Sequence, residues 1–473
     1  MSGDPGRAMA DPFAVAHELR RVVGWVGARA RSARRAAEAA LGRDHLRIAI
    51  TGLSGAGKTV FTTSLIHALR HGGAHPAALP LFAGTLGAPG WTTRIETLPG
   101  VPAFPYAENL AGLVADPPSW PAPTRASCGV RLILETAAPS PRRVTLDIVD
   151  YPGEWLLDLD MLEFDYAAWS ARVLARLQAP GGLAAEATGT WLGQALAVAG
   201  DAAAAETVVA AYGAMLARLR AAGMLHLAPG RLLVPPGDAS AAPPPPAPLP
   251  AALAGAALHA AMAARHAAYR DGVVLPFHAR HVAPFDRQIV LFDVIGALGR
   301  GPAALADARG ALLAALEAFR YRRVPLLDRV RARIDRVLVA ATKIDHVTTG
   351  QYLNARALIA EIFVGTDWAA PMARGRLRFD VLAAIRATED GWIRRDGAQR
   401  AALRGVLAGD AGALRTLVPS DVPPAAPRAA DWPAGGFVYA DFAPPELSGH
   451  RERPFPGINL DKALDHLVGD RLR

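Results

Sequence analysis

The feature that most constrains the fold is a glycine-rich stretch, TGLSGAGKTVF, at residues 51–61. It contains the spacing G-x-x-x-x-G-K-[ST] at Gly52–Thr59, follows the apolar run LRIAIT, and precedes a helix-forming run that extends to about Arg70. In such a strand–loop–helix unit the glycines let successive backbone N–H groups turn inward, where the helix N-terminus adds its partial positive charge. The stretch therefore predicts a phosphate-binding loop at the end of a buried strand.

The lysine and the threonine of this loop carry the chemistry that phosphates need. Lys58 is expected to bridge the β- and γ-phosphates, and the Thr59 hydroxyl is expected to coordinate Mg²⁺. Lysine is rare in this arginine-rich chain, so a retained lysine indicates a site that needs a compact ammonium group. The loop residues expected to bind the nucleotide are Ser54, Gly55, Ala56, Gly57, Lys58, Thr59 and Val60.

Apolar, β-branched runs alternate with helix-forming segments along the chain. They are GVRLILET, RVTLDIVD, RQIVLFDV, DRVLVAATKID and RFDVLAAI. Strands that alternate with helices predict an α/β fold with a mostly parallel sheet and helices on both of its faces. More than a hundred residues of mainly helix-forming sequence separate the second run from the third, which predicts a large helical insertion in a P-loop NTPase core.

The chain is too long for one compact core, which favours two domains or one domain with an insertion. Within the insertion, the Pro-rich stretch 234–250 predicts an exposed, extended loop. The predicted segments are 1–43 as a basic N-terminal helical extension, 44–157 as the first part of the core, 158–285 as the helical insertion, 286–405 as the second part of the core, 406–436 as a linker, and 437–473 as a C-terminal strand and helix that pack on the core.

The run LDIVDYPGEW supplies a second functional element. Asp150 ends a predicted buried strand, where an aspartate can hold Mg²⁺ through water. From Asp150 to Gly153 the sequence has the D-x-x-G form of the γ-phosphate sensor of GTPases, in which the glycine N–H meets the terminal phosphate. Thr124 lies between the loop and the sensor, and we favour it as the first switch that reaches the metal and the γ-phosphate over the alternative of an ordinary loop residue. The residues assigned to the metal are Thr59, Thr124 and Asp150.

Two residues beside these motifs have open roles. Arg125 would neutralise transition-state charge as an internal arginine finger, or it is an ordinary loop residue. Glu154 follows the sensor, where many GTPases place a water-orienting glutamine. A carboxylate there would orient water, would slow hydrolysis by repelling phosphate, or would be a solvated surface group. The candidate catalytic residues are Lys58, Thr124, Arg125, Gly153 and Glu154.

The motif TKID at Thr342–Asp345 predicts the base, because it follows a buried strand and matches [NT]-K-x-D. The Asp345 carboxylate can accept hydrogen bonds from N1–H and the 2-amino group of guanine, whereas adenine would leave it unpaired. The stem of Lys343 is expected to lie across the ring. After the next strand, Ala384 and Ile385 are candidates for a backbone contact to guanine O6, although a plain strand-to-helix turn explains them equally well.

Charge and cysteine content limit the partners and the compartment. Part of the net charge of +8 falls in a basic, amphipathic helix within 11–43, which would contact an anionic membrane peripherally or pack on the core through its apolar stripe. The lone Cys128 excludes an internal disulfide and a multi-cysteine zinc site. With no signal-peptide pattern and no run of 18 apolar residues, we expect a cytoplasmic protein, with peripheral contact to the inner membrane left open. No motif indicates nucleic-acid binding.

Together, several segments resemble the YcjX-like family of bacterial P-loop GTPases, in the family's order from about residue 45 onward. The resemblance implies a Ras-like GTPase core with a large helical insertion, binding of GTP and GDP, Mg²⁺-dependent hydrolysis, and a cytosolic role in a stress response. It places the phosphate loop at Gly52–Thr59, the switches at Thr124, Asp150 and Gly153, and base reading at Lys343 and Asp345. The segments are TGLSGAGKTVFTTSLI, WPAPTR, LDIVDYPGEWLLDL, RQIVLFDV, ATKIDHV and INLDKALDHLVGDRL.

We therefore expect a slow GTP-hydrolysing switch that signals to an unidentified protein effector. One alternative is an ATP-dependent P-loop enzyme, which Asp345 argues against. The other is a nucleotide-binding scaffold that scarcely hydrolyses its ligand, which Glu154 leaves open.

Overall fold

A computed structural model of the chain describes residues 44–86, 90–136, 141–179, 184–235, 242–320, 334, 336–366, 368, 372, 376–395, 397–410 and 412–472. The chain divides into two compact units, Met1–His45 and Leu46–Arg473, and the second unit carries the central sheet and the helices around it. The predicted basic extension at 1–43, with its membrane contact through 11–43, lies outside the described residues.

The central sheet contains seven strands within the described residues, and the predicted α/β fold is confirmed. The strands are β1 (Asp44–Gly52), β2 (Trp91–Glu96), β3 (Cys128–Thr136), β4 (Arg143–Asp150), β5 (Arg287–Phe292), β6 (Arg336–Ala341) and β7 (Leu377–Val381). They lie in the order β2–β3–β4–β1–β5–β6–β7. Strands β1, β5, β6 and β7 pair in parallel, whereas β2, β3 and β4 pair antiparallel.

Helices surround this sheet and fill the long segment between β4 and β5. They are α1 (Lys58–Gly72), α2 (Pro80–Leu86), α3 (Tyr106–Leu113), α4 (Tyr166–Leu177), α5 (Ala185–Ala197), α6 (Ala205–Ala221), α7 (Ala257–Tyr269), α8 (Val294–Gly299), α9 (Pro302–Arg320), α10 (Tyr352–Glu361) and α11 (Leu460–Leu464). A 3-10 helix at Gly153–Leu162 leads from β4 into the insertion, which continues through α4 to α7.

Alternation along the strands decides which helices cover which face. On β5, Ile289 and Leu291 belong to the apolar cluster that contains residues of α1 and α11, and Val290 and Phe292 belong to the cluster with α8, α9 and α10. Because successive side chains of a strand point to opposite faces, this pattern buries both faces of β5. The insertion helices form most of a third cluster, which meets the sheet at Ala49 of β1 and Val149 of β4.

The Pro-rich stretch differs from the exposed loop that its composition predicts. Residues 246–249 are buried, and the backbone of this segment is hydrogen-bonded to α4. The Tyr166 hydroxyl donates to the Ala247 carbonyl at 2.9 Å, and the Leu249 N–H donates to Ser170 Oγ at 2.8 Å. Proline-rich backbone has few donors to satisfy, so two side chains of α4 suffice to pack it.

The C-terminal third also differs from the predicted segments. Strands β8 (Glu389–Arg395), β9 (Ala398–Val406) and β10 (Leu414–Leu417) form a separate antiparallel sheet, so a boundary at 405 cuts through it and 406–436 is not simply a linker. Within that segment, Val422 is 1% exposed and its carbonyl accepts from Asn354 of α10. Within 437–472 no strand forms beyond isolated bridges such as Leu407–Phe442, and the tail ends in α11 and its continuation.

Among the described helices, the segment Ala202–Ala221 is long and apolar enough to cross a membrane by length and composition. Its residues Val208, Tyr212 and Met215 lie in the core of the insertion. Its last turn carries Arg218 and Arg220. The burial of Val208, Tyr212 and Met215 is typical of a core helix.

Candidate nucleotide-binding site

The glycine-rich loop forms the strand–turn–helix unit that its spacing predicts. Gly55 and Gly57 have φ of 77° and 82°, in the left-handed region that favours glycine, and α1 begins directly after Gly57. Lys58 is 8% exposed, and its ammonium donates to the carbonyls of Gly52 at 2.7 Å and Leu53 at 3.2 Å. Burial lowers the pKa of Lys58, although the charges of Asp150 and Glu154 oppose this effect.

The three residues assigned to the metal lie together beside Lys58. Thr59 Oγ1 lies 2.9 Å from Thr124 Oγ1, and the Thr124 hydroxyl donates to Asp150 Oδ2 at 2.7 Å. Asp150 is 1% exposed, and within the described part of the chain no donor meets hydrogen-bonding geometry at its Oδ1 atom. Burial raises the pKa of Asp150, while Lys58 and the Thr124 hydroxyl favour its ionised form.

These groups fit Mg²⁺ by their chemistry. Mg²⁺ prefers hard oxygen ligands and is usually held by one or two carboxylates together with hydroxyls, waters and phosphate oxygens. The unpaired Asp150 Oδ1 and two converging threonine hydroxyls supply such a set. Within the described residues no cluster of three or more His, Cys, Asp or Glu side chains offers a metal site of another type.

The D-x-x-G glycine lies directly against the phosphate loop. A Cβ atom added to Gly153 would fall 1.9 Å from the Gly52 carbonyl oxygen and 3.2 Å from the Leu53 Cα. Since a Cβ cannot approach backbone that closely, this position requires glycine for steric reasons. The contact brings the end of β4 and the end of β1 to one edge of the sheet, where nucleotides bind in open α/β folds.

Glu154 is not a solvated surface group, because it is buried and paired with an arginine of the insertion. Arg220 Nη2, at the end of α6, lies 2.7 Å from Glu154 Oε1 and donates to Ser54 Oγ at 2.9 Å. One guanidinium therefore connects the phosphate loop with the residue after the sensor. Sequence patterns did not indicate Arg220, because it lies 166 residues from Ser54 and no motif surrounds it.

Arg125, by contrast, is exposed, and it makes no hydrogen bond or ion pair among the described residues. Its role as an arginine finger stays a prediction.

A cavity of about 200 Å³ extends from the phosphate loop to Lys343 of the TKID motif, whereas Asp345 of the same motif is not among the residues that line it. Ser54 and Gly55 line one side, and Lys343 and Asp293 line the other. Lys343 has a left-handed φ of 55°, and its ammonium lies 2.9 Å from Asp293 Oδ2. Burial disfavours the charge of Lys343, but Asp293 more than offsets this effect, so the pKa of Lys343 is raised.

A larger described cavity, of about 480 Å³ between α5 and α6, is lined mainly by apolar side chains and has no cationic residue. It therefore does not suit a phosphate ligand.

Asp345, the residue predicted to contact the base, is held from the loop after β7. Asp345 is 4% exposed, its Oδ2 accepts from the Ala387 N–H at 2.8 Å, and its carbonyl accepts from the Thr388 hydroxyl. Burial raises the pKa of Asp345, while His346 and the Ala387 N–H favour the carboxylate. The sequence pattern pointed to this loop but not to Ala387 and Thr388. The one sequence feature that could have indicated this contact is Thr388, a hydroxyl residue in the loop after β7.

The remaining predicted residues occupy less direct positions. Thr342 is buried, and its N–H donates to the Phe292 carbonyl at 3.0 Å. Ile385 is buried in an apolar cluster, against which Val60 packs. Ala384 is half-buried in the same loop after β7. Contacts of these backbone groups with a base stay predictions.

Comparison with known proteins agrees with this geometry. The model of the YcjX-like family matches residues 46–472. A protein named "Ras-like GTPase YcjX" from Escherichia coli K12 is 36% identical over 467 residues, which cover 91% of this chain and 96% of that protein. A protein of the same name from Shewanella oneidensis is 33% identical over 474 residues, which cover 90% of this chain and 95% of that protein.

Proposed function

Because the chain belongs to the YcjX-like family and is a GTPase-like P-loop protein, we propose that it binds GTP and GDP with Mg²⁺, hydrolyses GTP slowly, and acts as a nucleotide-dependent switch. The observation that carries this proposal is the chain of contacts from Thr59 through Thr124 to Asp150, beside Lys58. These are the groups that P-loop GTPases use around the metal and the terminal phosphates.

The residues would share the work of hydrolysis mainly through electrostatics. Thr59, Thr124 and, through water, Asp150 would hold Mg²⁺, which supplies charge neutralisation for the phosphate oxygens. Lys58 would exchange its bonds to the Gly52 and Leu53 carbonyls for bonds to the phosphates. Once Lys58 has made this exchange on nucleotide binding, its charge would stand beside the phosphates before the chemical step, where it would stabilise developing charge.

Guanine is the base that Asp345 suits best. Its carboxylate is buried and accepts from the Ala387 N–H at Oδ2, and since a carboxylate has about four lone-pair sites, it would have acceptor capacity left for the base. Guanine offers two adjacent donors at N1 and the 2-amino group, whereas adenine offers none at these positions. An unpaired buried carboxylate costs free energy, so ATP would bind more weakly than GTP.

The switch would act through the segment after β4. Gly153 touches the phosphate loop, and the next two residues contact the insertion: a Cβ on Gly230 would fall 2.0 Å from the Glu154 carbonyl oxygen, and the Trp155 indole donates to the Val234 carbonyl at 2.8 Å. Loss of the γ-phosphate would release contacts at Thr124 and Gly153, and this release would reach the insertion through the same backbone. A protein effector would read the change there.

Steady-state phosphate release from GTP tests the enzymatic part of the proposal. We expect the wild-type chain to release phosphate slowly and Lys58→Ala to release at least about 100-fold less, because a P-loop lysine contacts the transferred phosphoryl group. Equal rates would show that the protein is instead a nucleotide-binding scaffold. The observation that favours this second candidate is that Glu154, a buried carboxylate, stands where many GTPases place a water-orienting glutamine, and its pairing with Arg220 leaves it less able to orient water.

The proposal also includes a cellular location and a role. We place the protein in the cytoplasm, with a role in a bacterial stress response and peripheral contact to an anionic inner-membrane surface through residues 11–43. The support for this contact is the arginine-rich composition of that segment. Binding of the full chain to vesicles with and without anionic lipid would test it.

A further inference from the structure

The guanidinium of Arg220 occupies a central position among the charged groups of the site. Its Nη2 atom donates to Ser54 Oγ at 2.9 Å and lies 2.7 Å from Glu154 Oε1. Its charge also acts on Lys58, whose pKa it lowers. Arg220 lines the same cavity as Ser54 and Lys343. Three cationic side chains, those of Arg220, Arg300 and Lys343, therefore line the cavity beside the phosphate loop, an arrangement suited to a polyanion.

Part of this guanidinium remains available for a ligand. The side chain of Arg220 is 31% exposed, and among the described residues its hydrogen bonds are made by Nη2 alone. An arginine carries five N–H donors in a planar fork that matches phosphate oxygens. The contacts of Nη2 with Ser54 and Glu154 thus orient the guanidinium and leave its other N–H donors for a ligand.

The fold fixes the end of α6 that carries Arg220. The Met224 N–H donates to the Leu219 carbonyl at 3.1 Å, and Gly223 adopts a φ of 95°, which ends the helix. The next two N–H groups, of Leu225 and His226, donate to Asp307 Oδ2 of α9 at 2.6 and 3.2 Å. An arginine on a helix end anchored in this way is positioned before a ligand arrives, which limits the entropy lost on contact.

We infer that Arg220, supplied by the helical insertion, is the internal arginine that neutralises the γ-phosphate of GTP during hydrolysis, and that Glu154 positions it. This inference rests on the proposed function. The water oxygen bonds to the γ-phosphorus, and the bond from that phosphorus to the β,γ-bridging oxygen breaks, with its electron pair staying on GDP. One water proton remains on the inorganic phosphate and the other leaves to solvent. Arg220 stabilises the negative charge on the oxygens of the transferring group and takes no proton.

This assignment gives the insertion a catalytic task and reassigns the arginine that the sequence suggested. Ser54 is in the phosphate loop and Glu154 follows the γ-phosphate sensor, so a group that touches both lies where the terminal phosphate is expected. Arg125 is exposed and makes no such contact among the described residues. A movement of the insertion that withdrew α6 would therefore slow hydrolysis without altering the phosphate loop.

Single-turnover GTP hydrolysis by the full chain tests this inference, with Arg220→Ala and Arg220→Lys as variants. We expect Arg220→Ala to lower the rate by about 100-fold or more, within the range measured for lost transition-state donors and arginine fingers. Arg220→Lys keeps the charge but not the fork, and should recover at most about a tenth of the wild-type rate. Arg218→Ala, on the same helix but exposed, is the matched control and should hydrolyse at the wild-type rate.

Binding measurements separate a catalytic role from a structural one. GDP lacks the γ-phosphate, so its affinity should stay within about threefold of wild type in Arg220→Ala, whereas binding of GDP with Mg²⁺ and fluoroaluminate, a mimic of the transferring group, should be lost. For Glu154, the double variant Glu154→Ala/Arg220→Ala should be no slower than Arg220→Ala alone, because a positioning residue has no effect without the residue it positions.

Two results would contradict the inference. If Arg220→Ala hydrolyses GTP within about threefold of the wild-type rate, or keeps the fluoroaluminate complex, Arg220 is not the internal arginine. A matching loss in Arg125→Ala would then move the role to Arg125. A wild-type chain that binds guanine nucleotide but releases no phosphate, or binds none at all, would overturn the proposed function and this inference together.

Discussion

Replacement of Asp345 by asparagine should change which base the site accepts. The substitution keeps the shape of the side chain and removes its charge. The Ala387 N–H, 2.8 Å from Asp345 Oδ2, requires an acceptor, so the amide oxygen should take the Oδ2 position and the amide nitrogen the Oδ1 position. The nitrogen then faces the base and can only donate hydrogen bonds.

The size of the effect follows from this orientation. Guanine presents donors at N1 and at the 2-amino group, and a hydrogen bond to a charged acceptor contributes about 1.5–3 kcal/mol. Loss of one to two such bonds, at a site only 4% exposed, should weaken GDP binding by roughly 1.5–6 kcal/mol, or about 10- to 25,000-fold. Xanthine carries a carbonyl in place of the 2-amino group, so it can accept from the new amide, and XDP should bind Asp345→Asn more tightly than GDP does.

Isothermal titration of GDP and XDP into wild type and Asp345→Asn measures both effects. Wild type and Asp345→Asn should first be shown to unfold at the same temperature, because Asp345 also has a structural contact: its carbonyl accepts from the Thr388 hydroxyl. If Asp345→Asn binds GDP within about threefold of wild type, the base does not lie on this carboxylate and the reasoning fails.

Two further predictions concern sterics and pH. Gly153→Ala should weaken binding of a non-hydrolysable GTP analogue at least about tenfold, because the new Cβ would lie 1.9 Å from the Gly52 carbonyl oxygen. The control is Gly189→Ala on α5, where an added Cβ has nothing within 4 Å. Equal titration curves for the two variants would contradict the steric argument. Burial lowers the pKa of His67 to about 4, whereas the unfolded chain takes up this proton near pH 6.5. The free energy of unfolding should therefore fall as the pH is lowered from 6.5 to about 4, by roughly 3 kcal/mol from His67. Urea unfolding at pH 7 and pH 5 should show a smaller loss for His67→Gln than for wild type, and an equal loss would contradict this assignment.

The parts of the site that the sequence predicted are those carried by local spacing. The phosphate loop, Asp150 with Gly153, and Asp345 each sit at the end of a buried strand, and parallel strands bring such ends to one edge of a sheet. Thr124 could be placed because it lies between the loop and the sensor, shortly before a strand, where GTPases carry the threonine of the first switch. Its contacts with Thr59 and Asp150 follow from that position.

The parts that the sequence could not predict depend on long-range packing. Arg220 is one of many arginines on helix-forming sequence, and only the way α6 ends against α9 brings it to Ser54. Asp293 follows β5 outside the recognised motifs, and the parallel pairing of β5 and β6 brings it to Lys343. The Pro-rich stretch was expected to be exposed because composition records polarity and stiffness, not the hydroxyls of Tyr166 and Ser170 that pack it.

The central claim is that a guanine nucleotide occupies the cavity between the phosphate loop and the TKID motif. Titration of wild type with GTP analogue and with the matching ATP analogue, both non-hydrolysable and in the presence of Mg²⁺, tests it most directly. We predict that the GTP analogue binds at least about 100-fold more tightly, since two hydrogen bonds to the buried Asp345 distinguish the bases. Equal affinities, or tighter binding of the ATP analogue, would contradict the account.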